Sequence, residues 1–169
     1  MKNILILLMF FTSLNLISQE RISINDIYIG ENNIAYRTDN DQKFTGFAQK
    51  VRKNGHVVYE DQFDNGIIIS HSVFFNSSDK KLAGKMIYNK DKPFVFEKFI
   101  EYKSNRNGHW TEVEYYDQNG HKILEEIVSD GKTTYRCEFL NGKKHGTESC
   151  INKDGTELTT EYENGKKLK

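Results

Sequence analysis

Short segments of alternating apolar and polar residues run through most of the chain. One such segment alternates the side chains of Tyr135, Cys137 and Phe139 with charged ones. A period of two is typical of a β-strand that buries one face. No segment shows a convincing helical period, so the pattern predicts an all-β protein.

Pairs of Asn or Asp with Gly separate these segments. Both positions accept the positive φ that a tight two-residue turn demands. The pairs are Asn54-Gly55, Asn65-Gly66, Asn107-Gly108, Asn119-Gly120, Asp130-Gly131, Asn141-Gly142, Asp154-Gly155 and Asn164-Gly165. Their regular spacing along the chain predicts an antiparallel β-meander of repeated hairpins in a single extended or curled sheet. Pro93 is expected to open a strand at Phe94, because the first residue of a strand needs no ladder N–H.

The first 18 residues form a segment of their own. Lys2 precedes an apolar run from Ile4 to Phe11, and a more polar segment that ends at Ser18 follows the run. This arrangement predicts a secretory signal peptide cleaved before Gln19, since the run is too short to span a bilayer. An uncleaved anchor is the alternative. After cleavage no membrane insertion is expected, and the mature protein would be periplasmic or extracellular.

The remaining chain divides into two predicted parts. Residues 19–43 carry a weaker pattern and are expected to form an N-terminal capping segment, because a terminal repeat must close off the core. Residues 44–169 carry the repeats. The chain has 24 basic and 24 acidic residues, which argues against nucleic acid as a partner.

Three stretches carry parts of a further order: a glycine, an aromatic residue two positions on, paired aromatic residues, Asn-Gly, an apolar strand and a Gly-Lys-Lys-His-Gly connector. They are Gly46 to Gly66, Gly108 to Gly120 and Phe139 to Gly146. This order resembles variant MORN repeats over residues 36–169, although the stretch from Gly66 to Asn107 departs from it. The segment from Tyr36 to Gly46 also resembles the entry segment of MORN-type proteins that are catalogued as antitoxins. The resemblance implies a β-sheet repeat fold and protein binding.

Two cysteines, Cys137 and Cys150, form a possible disulfide in an oxidising compartment. If residues 141–146 form the loop, Cys137 lies opposite Cys150 and a cross-strand bridge can form. The alternative register pairs Tyr135 with Ile151 and turns Cys150 to the other face. Both registers are open at this point.

Polar residues are weaker candidates for a metal site or a catalytic site. His56, His109 and His121 follow Asn-Gly pairs, and repetition along a sheet spreads such side chains apart, so no metal site is predicted. The glutamates and aspartate of the central repeats have no spacing that selects an acid–base pair, and a solvated face is the preferred interpretation: Glu112, Glu114, Asp117, Glu125 and Glu126. No catalytic residue and no cofactor are predicted.

Aromatic residues recur along the predicted strands: Phe47, Tyr59, Phe63, Trp110, Tyr115, Tyr116, Tyr135, Phe139 and Tyr162. The preferred interpretation is that the sheet curls and uses these rings as its core. The alternative is that some stay exposed and form a binding surface. That surface would contain Trp110, Tyr115, Tyr116, Tyr135 and Tyr162.

These features favour a non-enzymatic protein-binding module of the cell envelope. Its partner would be another protein, and an antitoxin-like immunity role against a toxic effector is its most concrete form. The alternative is a structural or glycan-binding envelope repeat protein.

Overall fold

The protein is an all-β meander, as the alternating pattern predicts. The computed structural model describes residues 19–77, 79–106 and 108–169, so the predicted signal peptide lies outside the described residues. The strands are β1 (Arg21–Ser23), β2 (Ile27–Ile29), β3 (Ala35–Arg37), β4 (Gly46–Val51), β5 (Val57–Asp64), β6 (Ile67–Phe74), β7 (Leu82–Tyr88), β8 (Phe96–Asn105), β9 (Gly108–Tyr116), β10 (Lys122–Ser129), β11 (Lys132–Leu140), β12 (Lys143–Ile151), β13 (Glu157–Glu163) and β14 (Lys166–Lys167). None of the helical structure in these ranges has the length and hydrophobicity needed to cross a membrane.

Twelve of the strands form one open sheet in the order β1, then β4 to β14 in sequence. Every neighbouring pair from β4 onwards is antiparallel, because each hairpin turn sends the chain straight back. Strand β1 is the exception, since it pairs with β4 in parallel, with Arg21 opposite Phe47. Strands β2 and β3 form a separate two-stranded sheet.

The hydrophobic core lies at the N-terminal end of the sheet. Ala35, Phe44, Ala48, Phe63 and Ile68 are buried together. Partly buried side chains of the first strands and of β7 pack against this cluster: Ile22, Ile24, Ile27 and Tyr88. Side chains from residues 19–43 therefore pack against one end of the sheet, and their capping role stays a prediction.

Seven of the eight Asn-Gly and Asp-Gly pairs form two kinds of turn; the eighth is Asn107-Gly108, and Asn107 lies outside the described residues. Four pairs have positive φ at both residues and close two-residue hairpins: Asn65-Gly66, Asp130-Gly131, Asn141-Gly142 and Asn164-Gly165. Three others have positive φ at glycine alone and lie in wider loops: Asn54-Gly55, Asn119-Gly120 and Asp154-Gly155. In each wider loop the glycine N–H donates to the carbonyl three residues before it, as from Gly55 to Arg52 at 2.9 Å. The expectation of tight turns throughout is therefore wrong for these three.

Pro93 does not open a strand. It lies in the connection between β7 and β8, and β8 begins only at Phe96. Phe94 has φ of 68° and belongs to the same connection. The central stretch that departs from the repeat pattern nevertheless forms β6, β7 and β8 without a break in the sheet.

Strands β11 and β12 adopt neither of the two registers that the sequence left open. Tyr135 lies opposite Cys150, and Cys137 lies opposite Glu148. An irregularity between Cys137 and Phe139 then shifts the register, so that Leu140 faces Lys143 across a two-residue turn. The segment expected to be a loop is therefore the start of β12, and the two cysteines are diagonal neighbours on one face. Both are free thiols, with Cys137 buried.

Candidate functional site

One face of the sheet from β8 to β13 gathers carboxylates, lysines and aromatic rings. We call it the carboxylate–aromatic face. Its residues are Glu101, Glu112, Glu114, Glu125 and Glu148, with Lys103, Lys122 and Lys144, and with Trp110, Tyr116, Tyr135 and Tyr162. Their side chains are all partly accessible to solvent. Five carboxylates against three ammonium groups leave this face with a net negative charge.

The strand register explains why these side chains meet. Residues directly opposite on neighbouring strands point to the same face, as do alternate residues along one strand. Glu112 lies opposite Ile127, which lies opposite Tyr135. In the adjacent row Glu114 lies opposite Glu125, and this row continues through Cys137 to Glu148 on β12.

Three of the four Trp and Tyr side chains on this face donate a hydrogen bond to a glutamate, and the fourth, Tyr162, lies beside one. The indole Nε1 of Trp110 donates to Glu112 at 3.0 Å. The phenolic O–H of Tyr116 donates to Glu114 at 2.5 Å, and that of Tyr135 donates to Glu148 at 3.0 Å. The hydroxyl of Tyr162 also interacts with Glu148. The rings are thereby fixed on the surface of the sheet.

Lysines bridge the carboxylates that the register brings face to face. Nζ of Lys122 lies 3.0 Å from Glu114 and 2.8 Å from Glu125, two glutamates on opposing strands. Like charges directly opposite each other destabilise a sheet, so this bridging ammonium is needed for the pair to coexist. Nζ of Lys103 lies 2.9 Å from Glu101 in the same role, and Glu101 faces Glu112 across the strands.

Two of these lysines also lie over aromatic rings. Lys122 Nζ is 4.3 Å from the centre of the Phe139 ring, and Lys144 Nζ is 5.2 Å from that of Tyr162. Lys144 additionally forms an ion pair with Glu148. Cation–π contacts of this kind hold the ammonium groups down on the face and link β10, β11, β12 and β13.

The pKa values follow from these contacts. Burial raises the pKa of the Glu114 carboxyl, but the hydrogen bonds from Tyr116 and Lys122 outweigh it and the pKa is lowered below 4.5. The hydrogen bond from Lys144 lowers the pKa of Glu148. Burial, followed by the hydrogen bond to Glu148, raises the pKa of Tyr135 above 10.0. At neutral pH these glutamates are therefore ionised and the tyrosine is protonated.

The structure separates one predicted binding residue from the other four. Tyr115 points to the opposite face, where its hydroxyl donates to Glu126 at 3.0 Å. Nζ of Lys98 lies 4.8 Å from the centre of its ring. Consecutive residues of a strand alternate between faces, so Tyr115 and Tyr116 belong to different surfaces.

The preferred expectation that the aromatic rings form a core is correct only for Phe63, which is 2% exposed. The other eight rings are half-buried, because the sheet stays open and has no second layer over this part of the described chain. The repeated histidines lie apart: His56 and His121 end two different loops, and His109 lies in β9. Among the described residues, no group of three His, Cys, Asp or Glu is placed to hold a metal ion.

Sequence reasoning missed Glu148 and Lys144. Lys144 lies in residues 141–146, which were expected to be a loop, and Glu148 lies beyond them, where neither predicted register placed it opposite Cys137. The signal was present, since Lys144, Gly146 and Glu148 occupy alternate positions after a tight Asn-Gly turn.

An open groove at the margin of the sheet was also not predicted. It has a volume of about 490 Å³ and lies where the hairpin ends of β6–β7, β8–β9 and β10–β11 come together. Its lining includes Phe75, Lys81, Tyr102, Trp110 and Asp130. These residues are distant in sequence and meet only because alternate hairpin turns share one margin. We call it the margin groove.

Comparison with known proteins leaves the MORN resemblance as a prediction. No protein-family model matches the chain, and no curated protein is found to be similar to it.

Proposed function

We propose that this protein is a non-enzymatic module that binds another protein through its carboxylate–aromatic face. The observation that carries the proposal is the set of four half-buried Trp and Tyr side chains, three of them hydrogen-bonded to a glutamate, on a sheet with no second layer over it among the described residues. Tyrosine and tryptophan dominate the energetics of protein interfaces because they bury large rigid surfaces and keep a polar tip. Rings already fixed by hydrogen bonds lose little entropy on binding.

The charge of the face indicates the kind of partner surface that fits it. Five glutamates and three lysines lie among the rings, so a partner with an excess of Lys or Arg is complementary. The rows of the face run across the strands from β8 to β13. Neighbouring strands are about 4.8 Å apart, so six strands span about 24 Å, which suits an interface of ordinary size.

The ionisation of the glutamates supports a binding role over an acid–base one. A general acid at neutral pH needs a carboxyl whose pKa is raised toward 7. The pKa values of Glu114 and Glu148 are lowered instead, by donors that also occupy their oxygens. Such carboxylates serve as fixed charges.

The biological form that we propose is an exported, antitoxin-like immunity protein that covers the working surface of a toxic effector in the envelope. The predicted signal peptide and the MORN resemblance motivate this form. A structural or glycan-binding role as an envelope repeat protein is the alternative to this protein-binding form.

Two matched variants test the binding face. Tyr135 and Tyr115 are both half-buried, and each donates a hydrogen bond of 3.0 Å to a glutamate, but they lie on opposite faces. Tagged protein comprising Gln19 to Lys169 is used to capture partners from envelope and culture fractions. We expect Tyr135→Ala to weaken binding of a stoichiometric partner by about tenfold or more, and Tyr115→Ala to change it little.

Two outcomes would reject the proposal. One is an empty capture with a folded, monodisperse bait. The other is an equal loss of partner in both variants, which would mean that the face makes no specific contact. For the immunity form, co-production with the product of a neighbouring toxin gene must restore growth, and Tyr135→Ala must reduce that protection.

A further inference from the structure

We propose that the margin groove binds a short stretch of an uncharged oligosaccharide. This inference goes beyond protein binding by the carboxylate–aromatic face and does not depend on it. The groove lies at the ends of the strands, and its volume of about 490 Å³ falls within the range of about 300 to 1,000 Å³ that small-molecule sites occupy.

Aromatic side chains supply the apolar part of the site. Phe75 and Tyr102 line the groove, and so does Trp110, although the register of β8 against β9 places Tyr102 and Trp110 on opposite faces of the sheet. Phe75 is 40% exposed, so its ring is available to a ligand. The Trp110 indole is held through Nε1 to Glu112 at 3.0 Å on the carboxylate–aromatic face, beside the groove. Flat rings of this kind suit the apolar faces of sugar rings.

The polar lining explains why the ligand is expected to be uncharged. Lys81, Lys103 and Asp130 all line the groove. Lys103 is paired with Glu101 at 2.9 Å and Lys81 lies near Asp79, so Lys81 and Asp130 are charges of opposite sign in a lining with no excess of either. A charged ligand would be attracted by one of them and repelled by the other. A hydroxyl group both donates and accepts hydrogen bonds, so a polyol can use both.

Further side chains in the groove can form hydrogen bonds with the hydroxyl groups of a ligand. Ser104, His109 and Thr111 also line the groove, next to the apolar surface of Val128. A few polar groups that fix orientation over an apolar base are the usual composition of a ligand site. The groove is open on its outer side, which fits a segment of a chain better than a single enclosed sugar.

The chain offers a direct probe of this site, because Trp110 is its single tryptophan. Cello-, chito- and manno-oligosaccharides are titrated separately into the protein, and the intrinsic fluorescence of Trp110 is recorded. We expect at least one of the three to give a saturable change. An oligogalacturonate, which carries carboxylates, is titrated as the charged comparison and is expected to bind more weakly.

A matched pair of variants tests the location. Phe75 and Phe94 are each 40% exposed and lie in hairpin connections at opposite margins of the sheet. Phe75→Ala is expected to weaken saccharide binding by about tenfold, and Phe94→Ala is expected to leave it unchanged. Tyr135→Ala should retain the saccharide while losing a protein partner, so the two proposals fail independently.

Several results would overturn this inference. They are no saturable fluorescence change with any of the three neutral oligosaccharides, equal losses in the two phenylalanine variants, and tighter binding of the oligogalacturonate. Loss of a protein partner in Phe75→Ala, without any saccharide binding by the parent protein, would assign the groove to a protein interface instead.

Discussion

Glu148 connects three strands through its carboxylate. It accepts hydrogen bonds from Lys144 on its own strand and from Tyr135 on β11, and it interacts with Tyr162 on β13. Charge-assisted hydrogen bonds are stronger than neutral ones, and removing the shared acceptor leaves the Lys144 and Tyr135 donors without their partner. The residue therefore holds the carboxylate–aromatic face together as well as giving it charge.

The lowered pKa values of Glu148 and Glu114 predict how stability depends on pH. A carboxyl with a lowered folded-state pKa stabilises the fold above its unfolded value of 4.5, and this stabilisation is lost as pH falls through the folded-state pKa. We expect the urea midpoint to fall below about pH 4.5. In Glu148→Gln the midpoint should be lower at neutral pH and should depend less on pH in the acid range.

The matched control is Glu157→Gln, an exposed glutamate on β13. It should leave the dependence of stability on acid pH unchanged, and an equal effect of both variants would contradict the role given to Glu148.

At alkaline pH, stability is expected to fall as pH rises. The pKa values of Tyr116, Tyr135 and Tyr162 are raised above 10.0, so their contribution is complete below that pH and is lost as pH rises through the folded-state values.

The hairpin turn between β5 and β6 also contacts the capping segment. Gly66 adopts φ of +82°, and a Cβ there would collide with the Ile34 side chain and lie 2.9 Å from the Ala35 carbonyl oxygen. Its own N–H donates to the Phe44 carbonyl at 2.7 Å, and its carbonyl accepts from Ala35 at 2.8 Å. The turn is therefore the place where the capping segment joins the repeat sheet.

Two glycine variants separate backbone strain from this contact. Gly142 has a similar φ of +72° in an equivalent turn, and a Cβ at that position would meet no atom within 4 Å. Gly142→Ala should cost about 1 kcal/mol from the left-handed backbone alone. Gly66→Ala should cost more than about 2 kcal/mol, because the capping segment must also move. Chemical denaturation measures both, and equal losses would show that the packing against Ile34 contributes nothing.

The hairpins could be predicted from the residues of their turns, but the exact pairing between strands could not. Asn141-Gly142 identified a turn, but strict alternation could not reveal the irregularity between Cys137 and Phe139 that sets the register of β11 against β12. A shift of one residue exchanges the two faces, and local packing decides it. For the same reason Tyr135 was predicted as a site residue but its partner Glu148 was not.

At the scale of the whole molecule, the protein is a linear array in which each strand contacts mainly its two neighbours. Buried apolar side chains concentrate at the end formed by β4, β5 and β6, and only Val113 and Cys137 are buried apolar residues elsewhere among the described residues. In such arrays stability is a sum of local terms and need not be uniform. The carboxylate–aromatic face is therefore built on the part of the sheet with the smaller core.

Native-state hydrogen exchange should show this gradient. The slowest amides are expected in β4 to β6, with opening free energies near the global value, and those of β13 and β14 should open at near zero cost. Strand β14 is two residues long, and most of β13 is exposed. Equal protection from β4 to β13 would contradict the prediction and would indicate that the sheet unfolds as one cooperative unit.

The parallel strand β1 has a consequence for how separate chains behave. It covers the edge of β4, and the Phe47 N–H donates to the Glu20 carbonyl at 2.7 Å. A chain cut after Ser23 would expose the edge of β4 that faces β1, from Phe47 to Gln49, and such an edge can recruit the same edge of another copy. The predicted cleavage before Gln19 would leave β1 intact. We therefore expect that removing residues through Ser23 increases self-association, which size-exclusion chromatography measures.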